Sequence, residues 1–112
     1  MSSPELPNQN LTISAFQQLI RDRYFETDNA RGTHATFLLL TEEFGELATA
    51  LYNCNKEVHG GSPPTDEERA NLAEEFADVF AWMLTLASIN GVDLAKACEK
   101  YTDPERVKGT KE

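Results

Sequence analysis

Six acidic residues occupy two short stretches of the chain, Glu42, Glu43 and Glu46 in one and Glu74, Glu75 and Asp78 in the other. Residues three apart on a helix share a face, so Glu43 pairs with Glu46 and Glu75 pairs with Asp78. If the two segments pack antiparallel, the pairs face each other and surround one cavity with four oxygen-donor groups. Carboxylates held that close either take up protons or attract a counter-charge, and hard oxygen ligands favour Mg²⁺, with Mn²⁺ as the second choice. Glu42 and Glu74 fall off the shared face, where they meet solvent or act through a neighbour. Either pair alone reads most simply as a solvated helix face, because Glu is a good helix former. Two matched pairs, each inside an apolar helical stretch, are a much rarer coincidence.

The elements that would carry these residues follow from hydrophobic spacing. Phe16, Leu19, Ile20 and Tyr24 define a first helix from Ser14 to about Glu26, with Ser14-x-x-Gln17 as a capping box. Thr27 to Thr33 reads as a turn. A second helix runs from His34 to Cys54 on the stripe Phe37, Leu40, Phe44, Leu47, Leu51. Lys56 to Pro64, with Gly60-Gly61-Ser62-Pro63-Pro64, is an exposed connection, and Thr65-x-x-Glu68 is a second capping box. The third helix spans Asp66 to Ile89 on Leu72, Phe76, Val79, Met83 and Leu86, stopped by Asn90-Gly91. Asp93 caps a short fourth helix whose buried side is Leu94, Ala97, Cys98 and Tyr101, with Pro104 near its end. The expectation is an all-α, four-helix bundle forming one domain over 1–112, with a loose arm at 1–11 and a polar tail at 104–112.

Composition narrows the possible partners. With 112 residues and a formal charge of -9, the chain lacks the basic surface that nucleic acid or an anionic membrane requires. Met1 to Glu5 offers neither a basic nor an apolar run, and no apolar stretch approaches membrane-spanning length, so the reading is a soluble, cytoplasmic protein. Cys54 and Cys98 have no Cys-x-x-Cys spacing and read as buried free thiols. The apolar arcs of helices two and three, including Phe37, Leu38, Leu39, Leu40, Phe80, Trp82 and Met83, are wider than four short helices can cover. A homodimer or homotetramer, sharing helices one to three, would cover them.

The motifs Glu42-Glu43-Phe44-Gly45-Glu46 and Glu75-Phe76-Ala77-Asp78, within LTEEFGELATAL and LAEEFADVFAW, resemble the MazG-like all-α nucleoside triphosphate pyrophosphohydrolases. The flanking segments RYFETDNARGTHATFLLL and LASINGVDLAKACEKY are also similar to short single-domain prokaryotic members, so the resemblance covers roughly 14–103. It implies Mg²⁺ at Glu43, Glu46, Glu75 and Asp78, and hydrolysis of a nucleoside triphosphate to monophosphate and pyrophosphate. It also implies a carboxylate base, for which Glu46 and Glu42 are the candidates, and assembly of several copies. After its last helix the family often has a basic and amide cluster; here Lys100 remains as a phosphate ligand, Arg106 is a weaker candidate, and Asp103 stands in place of Asn. As an ordinary solvated charge at a helix end, Lys100 is equally well explained. Trp82, four residues beyond Asp78, either bounds a base pocket or fills the core.

Other readings remain. Phosphoribosyl-ATP pyrophosphohydrolase would use the same chemistry on another substrate, and a non-catalytic interaction module could keep the fold. A di-iron carboxylate bundle would need Glu-x-x-His on two helices, which His34 and His59 do not supply. His34 and Arg31, just before helix two, are positioned to approach a substrate but read as structural.

Overall fold

The computed structural model describes residues 11–107, and every regular element among them is helical. Residues 1–10 of the arm expected over 1–11, and residues 108–112 of the tail, lie outside the described residues. Three long helices dominate: α1 Ile13–Arg31, α2 Thr33–Cys54 and α3 Asp66–Ile89. Two short ones follow, α4 Leu94–Cys98 and α5 Pro104–Val107, with 3-10 turns at Lys56–His59 and Glu99–Tyr101.

The first helix starts and stops elsewhere than its sequence suggests. Its cap is Thr12, whose hydroxyl accepts from the Ala15 amide at 3.0 Å, and Ser14 lies inside the helix. Gln17 makes no capping box because its carboxamide is engaged across the fold. Its Nε2 donates to Val92 O at 2.8 Å and Ser88 Oγ at 3.1 Å, while its Oε1 accepts from the Leu94 amide at 3.0 Å. At the other end the expected turn over Thr27–Thr33 shrinks to Gly32. Asp28 and Asn29 are poor helix formers, but Asp28 is buried against α3 and holds the helix through to Arg31. Gly32 then breaks it at φ 85, ψ 172, a region open essentially to glycine alone.

Helices α2 and α3 pack antiparallel, as their end contacts show. Asn90 Nδ2 donates to Thr33 Oγ1 at 3.1 Å at one end, and Lys56 Nζ meets Glu68 Oε2 at 3.3 Å at the other. The Thr65–Glu68 capping box forms as expected, with both bonds at 3.0 Å. The far end of α3 closes on Gly91, φ 70: the Val92 amide donates to Ala87 O and the Gly91 amide to Ser88 O, satisfying two terminal carbonyls. Helix α1 lies against α3, where the Phe16 and Phe80 rings stand 5.7 Å apart.

The expected fourth helix divides. Asp93 caps α4 through Lys96 N at 3.1 Å, but α4 ends at Cys98 and tightens into a 3-10 turn. Pro104 does not end a helix; it begins α5, where its missing N–H costs nothing and Asp103 accepts from the Glu105 amide at 3.0 Å.

The buried apolar core consists of Ile20, Leu40, Ala50, Val79 and Leu84. Much of the apolar stripe stays open to solvent instead: Phe37 is 51% exposed, Leu38 67% and Phe76 53%. Leu39, Phe80 and Trp82 are half-buried, as are both free cysteines, which the sequence placed in the core. Among the described residues no helix is long and apolar enough to cross a membrane.

Candidate metal centre

Glu43 sits one turn beyond the buried Leu40 on α2, and Glu75 one turn before the buried Val79 on α3. The apolar seam between the two helices is thus interrupted midway by acids. Antiparallel packing brings one carboxylate oxygen each from Glu43, Glu75 and Asp78 to within 4.8 Å of one another. Asp78 is exposed, and the two glutamates are half-buried.

The electrostatics are those of a self-repelling group. Burial raises the pKa of Glu43 above its ordinary value, and the charges of Glu46, Asp78 and Glu75 push it further the same way. Glu75 is raised by burial too, then by Glu46, Asp78 and Glu74. Glu43 Oε2 and Glu75 Oε2 are buried and have no hydrogen-bond partner. Ionised carboxylates have no proton to give one another, so each oxygen needs either a proton or a cation. Two partnerless buried anionic oxygens beside a third carboxylate fit a hard divalent ion well.

Glu46 is exposed and lies outside the 4.8 Å group, yet it acts on both raised glutamates. Side-chain hydrogen bonding to Glu46 is itself among the causes of both upward shifts, so the structure brings all four expected carboxylates together, three of them within 4.8 Å of one another and Glu46 in contact with Glu43 and Glu75. Glu42 is exposed and contributes to neither upward shift, while Glu74 is exposed and contributes only to that of Glu75. Lys100 is on the Glu99–Tyr101 turn with its ammonium 5.2 Å from the Tyr101 ring, and the carboxylates are not among its described partners.

One turn past Asp78, Trp82 is half-buried and lines a cavity of about 340 Å³ between α1 and α3, together with Ile20, Tyr24, Asp28, Arg31 and Thr85. Asp28 Oδ1 accepts from Arg31 Nη1 at 3.1 Å and Asp28 Oδ2 from Thr85 Oγ1 at 3.2 Å. The Arg31 guanidinium stands 5.0 Å from the Trp82 ring centre. The sequence reading missed Asp28 because it lay in the segment taken for a turn. The signal was present: Ile20, Tyr24, Asp28 and Arg31 continue the four-and-three spacing of α1 without interruption.

The family model described as MazG nucleotide pyrophosphohydrolase domain matches residues 31–104. No curated protein matches the chain.

Proposed function

We propose, starting from the fact that the chain belongs to the MazG nucleotide pyrophosphohydrolase domain family, that it hydrolyses nucleoside triphosphates between the α and β phosphates, giving monophosphate and pyrophosphate. The observation that carries this reading is the pair of buried, partnerless oxygens on Glu43 and Glu75 beside Asp78. Glu43, Glu75 and Asp78, with Glu46 at their edge, would hold Mg²⁺. When bound, such an ion polarises phosphoryl oxygens and makes a water molecule acidic enough to attack at neutral pH.

The residues themselves supply the rest. The half-buried glutamates are fixed by the antiparallel helices before any ligand arrives, so little reorganisation accompanies binding. Glu46, exposed yet electrostatically tied to both, would accept the proton that the attacking water loses; Glu42 is the reserve candidate for that role. Lys100, on the 3-10 turn that follows α4, would steady the phosphates.

The same reading takes 1–112 as one such domain, working in the cytoplasm on the nucleotide pool, most simply by removing unwanted triphosphates. Self-association belongs to it as well: Phe37, Leu38, Phe44, Phe76 and Met83 leave an apolar surface that a second copy of the chain would cover.

Incubation with Mg²⁺ and a panel of ordinary, deoxy and oxidised triphosphates, followed by phosphorus NMR, tests the proposal. Monophosphate plus pyrophosphate is the expected outcome. Diphosphate plus orthophosphate, or no turnover of any triphosphate, would overturn it.

A further inference from the structure

The cavity between α1 and α3 begins where the carboxylates end. Glu75, Asp78, Trp82 and Thr85 follow one another at spacings of three and four along the same face of α3, so the Trp82 level lies about 6 Å along the helix from Asp78. The wall is built from contrasting parts. The Trp82 indole offers a flat apolar face, and the Arg31 guanidinium lies 5.0 Å from it. Asp28, only 6% exposed, grips Arg31 on one oxygen and Thr85 on the other.

Such an arrangement is costly unless it is used. A buried carboxylate and a guanidinium side by side at a cavity wall are less favourable than apolar residues of the same shape, so they mark a place where polarity is wanted. Arg31 contacts Asp28 at 3.1 Å and Thr36 Oγ1 at 3.5 Å, both through Nη1. A guanidinium carries five N–H donors and no acceptor, so among the described contacts others remain to face the cavity.

We propose that this cavity receives the nucleobase, that Arg31 selects bases presenting an oxo group, and that Asp28 is the positioning residue holding Arg31 for that purpose. The proposal rests on the nucleotide reading above but concerns a separate part of the chain. A flat heterocycle laid on Trp82 would turn its edge towards Arg31. A ring oxo oxygen there accepts from the guanidinium, whereas an exocyclic amino group meets it donor to donor. Inosine and adenosine differ in just this way at the purine 6-position. Cytosine, uracil and guanine would be accepted on the same ground, and adenine disfavoured.

Trp82 is the single tryptophan of the chain and reports the cavity directly. Its fluorescence, excited beyond tyrosine absorption, is titrated with inosine and with adenosine in the absence of metal; both are uncharged, so the carboxylates do not repel them. Inosine should quench it with affinity about tenfold or more above adenosine, the scale of one well-placed bidentate contact. Arg31→Gln, whose amide can turn either a donor or an acceptor to the base, should bring the two affinities to within about threefold. Asp28→Asn should do the same by freeing Arg31, and it serves if Arg31→Gln does not fold. Quenching by neither nucleoside, equal affinities in the native chain, or an undiminished ratio in the folded variants would overturn the proposal. Turnover is judged separately: discrimination without hydrolysis removes the enzymatic reading and leaves the cavity, and hydrolysis without discrimination does the reverse.

Discussion

Replacing Gln17 with methionine keeps the length of the side chain and removes its carboxamide. Three bonds are lost at once, those to Ser88 Oγ, Val92 O and the Leu94 amide, which together tie α1 to the corner between α3 and α4. Each such bond contributes about 0.5–1.5 kcal/mol net of its exchange with water. Val92 is 43% exposed, so its carbonyl regains water, whereas the buried Ser88 hydroxyl is left with less recourse. The sum falls near the lower half of the range, about 2 kcal/mol, and for a domain of about 100 residues that lowers Tm by about 10 °C. Gln18→Met is the control, because among the described residues the Gln18 side chain bonds Asp22 alone, one turn along an exposed face, at 2.7 Å; its loss costs a few tenths of a kcal/mol, at the level of an ordinary surface pair. Melting followed by circular dichroism at fixed protein concentration reads both. A Gln17→Met Tm within about 2 °C of the native value, or equal losses in the two variants, would refute the account of Gln17 as a cross-fold tether.

Glu75→Gln should cut pyrophosphate release by about two orders of magnitude or more while raising the melting temperature of the metal-free protein, since it removes one charge from a repelling group; near-native turnover would exclude Glu75 from the site. Glu43 and Glu75 keep their protons to higher pH when folded than when unfolded, so the metal-free chain should gain stability as pH falls from neutral towards 4.5, and Glu43→Gln/Glu75→Gln should flatten that rise in a melting series. Glu68 has the opposite sign, held low by the Thr65 amide and Lys56, and its contribution should fade as pH drops below 4.5. Gly32→Ala should cost about 1–3 kcal/mol by denaturant titration purely through backbone strain, because nothing lies within 4 Å of the added methyl. Light scattering at micromolar concentration should give a multiple of the 12.5 kDa chain mass, and a fully active monomer would end the assembly proposal.

The acidic site was legible because it obeys a local rule. Spacings of three within an apolar stripe fix which residues share a face whatever the rest of the fold does, and that rule pairs Glu43 with Glu46 and Glu75 with Asp78; the antiparallel packing of α2 on α3 then brings the pairs together. The Thr65 and Asp93 caps and the Gly91 stop were legible for the same reason, being set by neighbours in the chain. What the sequence concealed depends on partners far away. Gln17 looks like a capping residue until Ser88, Val92 and Leu94 are brought to it from the other end of the protein. Asp28 and Asn29 look like a turn until Thr85 and Arg31 make a buried helical position worth its local cost. Pro104 sits near the expected end of the fourth helix, where a proline that stops one helix and a proline that starts another are identical without the Asp103 cap.

The acids lie in the middle of α2 and α3, about two to three turns from Cys54 and Asp66, where those helices end beside the connecting loop. Helix ends open and close readily, and amide hydrogen exchange at such ends is fast, whereas exchange midway along two helices packed on each other follows only larger openings. Fraying that begins at the loop would die out before reaching Glu46 or Glu75. Their amides should therefore be among the slowest in the chain to take up deuterium, so that the carboxylate frame persists through local openings at the loop end of the helices.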